Sequence, residues 1–314
     1  MPPQKKPVKK SLLRSLKEQR GLVLIIAMAT IGAGIVISSF AAVPTGISTE
    51  CQTAVSGTCR KVGKAGGISY WQDNTFADKK VHVLRIDLTN PRYILRASTP
   101  NEKGKRPTQF AKDTNSIVAV NGGFFTFGNY QPTGVAAGNG TLWPNTSDAK
   151  GPITFLACKY TKECFVDDNY GVATAVDATV YTQIVGGSGI LLSKDRGVRW
   201  SAQPDSPGCP SKTGNVTCGA ALPRTAAGLS ADKKSLILVM VEGGQPNLTG
   251  LSLYDLTTVL ENNGAAYAIN LDGGGSSGMV VEGKLVNNRQ SNEPNERIVA
   301  NSFGVVELPP TPSK

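Results

Sequence analysis

Apolar and polar residues alternate along VHVLRIDL, from Val81 to Leu88. The alternation stops at the turn signal Thr89-Asn90-Pro91 and resumes in YILRAS. A period of two predicts two strands paired across that turn. SIVAVNGGFF is a further β-rich run, and Asn121-Gly122-Gly123 supplies a turn where the strand finishes. PITFLACKYTKECFVDD reads as a hairpin with Cys158 and Cys164 facing each other across its turn. SLILVMVEGG is apolar without interruption, the mark of a buried strand. The period then changes. Leu253, Leu256, Val259 and Leu260 recur at helical spacing, behind an S-x-x-D capping signature at Ser252 and Asp255 and ahead of a stop at Gly264. AYAINLDGGGSSGMVVEGKLVN reads as strand, glycine loop, strand and a turn at Gly283. No fixed-period repeat interrupts this order. The pattern predicts an α+β fold, mostly β in mixed sheets with a few helices.

One segment does not belong to that domain. Residues 21–43 form 23 positions without a charge, enough for a helix to span about 30 Å of hydrocarbon. The preceding residues 1–20 hold seven bases against one acid, so they are expected in the cytoplasm as a basic tail, with the rest outside. A cleaved signal peptide is the alternative, with Ser39, Ala41 and Ala42 as its small residues. The remaining expectations are a linker or stalk at 44–80, one exported domain at 81–308 and a tail at 309–314. The domain is thus expected outside the cytoplasm, either membrane-anchored or secreted.

Charge and cysteines change the picture further. Removing the basic tail leaves 26 bases and 22 acids, a nearly balanced domain that excludes a nucleic-acid partner. All six cysteines follow the apolar segment in three close pairs, Cys51/Cys59, Cys158/Cys164 and Cys209/Cys218. None has metal or redox spacing, so they read as disulfides of an oxidising compartment, although six cysteines allow about 15 connectivities. The single histidine, His82, excludes HExxH zinc chemistry and most multi-histidine metal centres. It lies inside the first strand and reads as a packed or edge residue, having no catalytic partner nearby in sequence. Asp167, Asp168 and Asp177 match no calcium loop and read as turn acids, so no metal or cofactor is expected. Asn139, Asn145, Asn215 and Asn247 fit the glycosylation tripeptide, which counts only in a host with that machinery.

Asp272-Gly273-Gly274-Gly275-Ser276-Ser277 is the sharpest local feature. Three glycines let backbone N–H groups approach an anion, two hydroxyls follow and a carboxylate stands at the mouth. No Gly-Lys-Ser/Thr follows and the next element is a strand, which excludes a P-loop and a dinucleotide fingerprint. With this loop, VNGGFF, PRTAAGLS, LILVMVEGGQP and ERIVANSFGVV stand in an order that resembles the phosphodiester glycosidase family over residues 81–308. The resemblance implies hydrolysis of a sugar-1-phosphodiester in an extracytoplasmic glycan or envelope polymer. Bacterial relatives are often labelled as exopolysaccharide-biosynthesis proteins.

On the matching positions, the resemblance implies Asp272 and Glu242 as the working acids. Asn121, Gly122, Gly123, Arg224, Thr225, Gly273, Gly274, Gly275, Ser276, Ser277, Arg297 and Asn301 would bind a phosphorylated carbohydrate. Within that set, Arg224 and Arg297 would grip phosphate oxygens and Asn121 would orient a sugar hydroxyl. Glu242 stands where many members have Asp, and Gly278 where Thr is common. Two other readings stay open: a surface protein that binds anionic polysaccharide without catalysis, and a phosphodiesterase cutting the P–O bond on the other side.

Overall fold

The structure is a computed structural model that describes residues 51, 54–55, 57–144, 153–167, 176–199, 219–290 and 295–310. The 21–43 segment, Cys209, Cys218, Asp168, Asn145 and Asn215 lie outside them. Among the described residues no helix is long and apolar enough to cross a membrane.

The largest sheet has eight strands. Their order is Arg60–Lys61, Ile68–Asp73, Val81–Asp87, Ser235–Val241, Arg224–Leu229, Tyr267–Asn270, Ile190–Ser193 and Val198–Arg199. A five-stranded sheet packs on it, ordered Lys284–Leu285, Met279–Val281, Ser116–Asn121, Ser302–Glu307 and Tyr93–Ala97. Leu84, Leu238 and Ile269 of the first sheet meet Val118, Phe303 and Val305 of the second in one core. The opposite face of the large sheet is covered by the Leu253–Asn262 helix, whose Leu256, Val259 and Leu260 pack on Val83, Ala226 and Val239. Ser252 caps that helix, accepting from the Asp255 N–H at 3.1 Å, and Gly264 ends it with φ +85°. A third sheet contains Gln183–Ser188 and the Ile153–Cys158/Cys164–Asp167 hairpin, whose Cys158 and Cys164 are opposite in register and disulfide-bonded. Cys51 bonds Cys59.

Four features differ from the sequence reading. Every strand pairing among the described residues is antiparallel, so the sheets are not mixed. The helical crossover does join two strands of one direction, but the Arg224–Leu229 strand lies between them. Val81–Asp87 and Tyr93–Ala97 do not pair; they belong to different sheets and face each other across the core through Leu84, Ile86, Tyr93 and Leu95. Arg60–Lys61 and Ile68–Asp73, assigned by sequence to the stalk, are strands of the large sheet. Finally, Pro107–Thr114 is a helix, with proline in its first turn and left-handed Asn115 (φ 54°) at its end. Its Phe110 and Ala111 pack on Ala119 and Val280.

Candidate active site

The strand period decides which side chains meet. In the Arg224–Leu229/Ser235–Val241 hairpin, Ala226, Val239 and Val241 belong to the face under the helix, whereas Ala227, Leu238 and Met240 face the second sheet. Thr225 pairs with Met240 and shares its face. Glu242 follows the strand end with the same parity, held by its N–H to the Lys80 carbonyl at 2.9 Å. Arg224 has the other parity. Its guanidinium donates to the Leu251 carbonyl (3.1 Å) and the Ala220 carbonyl (2.9 Å), and burial lowers its pKa to about 10. It clamps the loops beneath the sheet and does not join the other proposed phosphate ligands.

Glu242 is 2% exposed and lines a cleft with Gly274, Gly275, Ser276, Ser277 and Arg297. Its Oε1 lies 2.8 Å from His82 Nε2. Burial pulls this carboxyl upward, but the His82 hydrogen bond, with a smaller contribution from Asn288, brings it below the ordinary glutamate value. Glu242 Oε2 and the Ser277 hydroxyl are buried with no full hydrogen bond among the described residues, although Asn288 interacts weakly with the Glu242 carboxyl. Two polar atoms beside one cleft thus have hydrogen-bonding capacity that the described residues do not fill, open to water or a ligand.

Asp272 takes the opposite electrostatic course. Burial raises its pKa to about 6, against the opposing effects of Ser276, the Gly273 N–H and the Arg297 charge. That N–H donates to Asp272 Oδ1 at 2.8 Å. Arg297 reaches toward the Ser276 hydroxyl (3.5 Å) and lies 5.5 Å over the Phe127 ring. The glycine loop is tighter than an open anion cradle. Gly274 N–H donates to the Pro223 carbonyl, while Ser276 and Ser277 donate back to Gly273 and Gly274 in a 3₁₀ turn.

Asn121, Thr225 and Asn301 hold the second glycine turn shut. Asn121 Oδ1 accepts from the Thr225 hydroxyl (2.7 Å) and the Gly278 N–H (3.1 Å), and its amide donates to the carbonyls of Asp272 (2.8 Å) and Gly122 (3.1 Å). All four hydrogen bonds available to the amide are made, at a site with 0% exposure. No capacity remains for a sugar hydroxyl. Gly122 N–H donates to the Asn301 carbonyl and Gly123 N–H to its side-chain oxygen. Asn121 therefore joins the two glycine loops by holding the Asp272 backbone.

The partnership of His82 with Tyr70 and Glu242 escaped the sequence reading. His82 is a packed strand residue as expected, but Met240 lies beside it in register and places Glu242 within reach. Asn287, Asn288 and Gln290 also line the cleft. Their only sequence signal is the polar run NNRQ after a strand, which any surface loop shares.

The phosphodiester glycosidase family model matches residues 114–306, more than half of the chain. The chain belongs to the phosphodiester glycosidase family, whose members are hydrolases. Its segments from the NGGFF turn through the C-terminal VAN segment lie within that match. It is 31% identical over 189 residues to the SPbeta prophage-derived uncharacterized protein YomE of Bacillus subtilis strain 168, covering 57% of this chain and 26% of that protein. The chain thus spans about a quarter of that relative's length. Its fold resembles the zebrafish N-acetylglucosamine-1-phosphodiester alpha-N-acetylglucosaminidase catalytic domain auto-inhibited by pro-peptide. That similarity has TM-score 0.57, 19% identity and coverage of 79% of this chain and 81% of that one. A hypothetical protein from Synechocystis is similar at TM-score 0.51 and 15% identity, covering 79% of this chain and 61% of the other.

Proposed function

We propose that this phosphodiester glycosidase hydrolyses a sugar-1-phosphodiester of an extracytoplasmic glycan or envelope polymer. The reading assigns Glu242 and Asp272 as its catalytic acids. The observation that supports it most directly is the split between two carboxyl groups near one glycine loop: Glu242, which lines the cleft, is held below the ordinary glutamate value, while Asp272 is raised to about 6. Environments that push paired acids apart assign a base and an acid. Glu242 activates water, or stabilises positive charge on the anomeric carbon, while Arg297 holds the phosphate. The C1–O bond breaks, water supplies the new C1 hydroxyl, and the bridging oxygen leaves with a phosphomonoester. That leaving group's second pKa is about 6. A proton held by Asp272 is therefore closely matched to it.

The test uses methyl diesters of hexose 1-phosphates and reads released reducing sugar. Glu242→Gln and Asp272→Asn are each expected to lower kcat by about 10²–10⁴-fold while the protein folds. Activity should fall above about pH 6, where Asp272 loses its proton, and Asp272→Asn should remove that limb. On the acid side it should fall as Glu242 is protonated, below the ordinary glutamate value. Hydrolysis in labelled water places the label in the sugar. Label in phosphate would assign cleavage to the P–O bond, and polymer binding without turnover would leave a binding protein.

A further inference from the structure

The large sheet buries a chain of three polar side chains, ending in the cleft. Tyr70 Oη lies 2.8 Å from His82 Nδ1, and His82 Nε2 lies 2.8 Å from Glu242 Oε1. They come from the neighbouring strands Ile68–Asp73 and Val81–Asp87 and the end of Ser235–Val241, on the face that packs against the second sheet. An ionised carboxylate only accepts, so Nε2 carries the proton toward Glu242. The Tyr70 hydroxyl then donates to Nδ1, and both ring nitrogens have partners. Burial holds the Tyr70 pKa above the ordinary phenol value, against the pull of Arg60 and with help from Glu242, so its proton remains available for donation.

The asymmetry at Glu242 gives this chain its meaning. A structural ion pair must satisfy both carboxylate oxygens to offset the cost of burying charge. Here His82 binds one oxygen, and the other makes no full hydrogen bond among the described residues, with only the weaker influence of Asn288 on the carboxyl. His82 is 0% exposed on the sheet face it shares with Leu84 and Met240, where an apolar side chain would avoid the cost of desolvation. We propose that His82 and Tyr70 are positioning residues for the hydrolysis. They fix the carboxylate rotation so that Oε2 faces the cleft, and His82 keeps it ionised. This inference rests on the reading of Glu242 as the acting base.

Two experiments test it. Because the chain has one histidine, selective ¹⁵N-histidine labelling reports its tautomer without overlap. A proton fixed on Nε2 is expected, and a ring protonated only on Nδ1 would overturn the proposal whatever the substrate. On the hexose-1-phosphate diesters, folded His82→Leu should lose about 10–100-fold in kcat, with KM within about threefold of wild type. His82→Gln, whose amide can still donate to Glu242, should recover part of that loss. Tyr70→Phe keeps the shape and should lose several-fold; should His82→Leu not fold, this variant provides the readout. On a Glu242→Gln background, removal of His82 should add no further loss. If Glu242→Gln turns over normally, the functional reading fails. If Glu242→Gln is inactive but folded His82→Leu, or Tyr70→Phe in its place, turns over like wild type, only the positioning role fails. An equal loss from His82→Leu in both backgrounds would likewise make its effect structural.

Discussion

The two glycine loops look alike in sequence and do different work. Residues 121–123 are wedged between two sheets: a Cβ on Gly122 would lie 2.1 Å from Asn301 Oδ1, and one on Gly123 would lie 2.2 Å from the Gly186 carbonyl oxygen. Residues 274–277 line a cleft, and a Cβ on Gly274 would approach only Gln290 Nε2, at 3.8 Å, whereas one on Gly273 just before it would lie 2.8 Å from the Pro223 carbonyl oxygen. The first loop uses glycine because backbones pass too closely for a side chain. The second uses it at a positive φ of 59°, where the chain must turn tightly. Close packing makes one loop a clamp, and local turning makes the other a wall of the site.

Substitution separates the two roles. Gly123→Ala is expected to have the largest effect, about 3 kcal/mol or more in urea unfolding, because neither backbone can yield cheaply. Gly274→Ala should cost only about 1–2 kcal/mol, the ordinary strain of a left-handed residue. Equal losses would erase the distinction.

The two arginines extend the contrast. Arg297→Met should raise KM for the hexose-1-phosphate diesters by about 10–100-fold, corresponding to a lost charged hydrogen bond of about 1.5–3 kcal/mol. Arg224→Met should leave KM unchanged and lower thermal stability instead. A KM effect from Arg224 would restore it as a phosphate ligand.

Asp272 offers a subtler measurement. Its folded pKa of about 6 lies above the ordinary 3.8, so the folded state binds the proton more tightly, and stability declines as pH rises between these values. The ceiling is about 3 kcal/mol, reduced by the carboxyl's partial contact with solvent. Asp272→Asn should therefore unfold at higher temperature than wild type at pH 7.5, while losing activity. The gain should vanish below pH 4, and a constant offset across that range would place the cause elsewhere.

Much of the fold was legible because its signals are local. The Ser252 cap, the Leu253–Leu260 spacing and the Cys158–Cys164 hairpin depend on residues a few positions apart. Partners of strands were less legible, since the alternation that makes Val81–Asp87 a strand does not say which sheet Tyr93–Ala97 joins. The same parity, applied past the strand end, places Thr225 with Glu242 and sends Arg224 to the far face. That much could have been read from the register of a single hairpin.

The sequence by itself determined the apolar pattern, the turns, the family motifs and the acids beside them. Only the tertiary structure decided that Asn121 has every hydrogen bond filled, that Arg224 supports loops, and that His82 stands against Glu242 across 160 positions of chain. The reason is physical. Secondary structure follows from spacing along the chain, whereas burial, charge state and unused hydrogen-bonding capacity follow from which neighbours the completed sheets bring into contact.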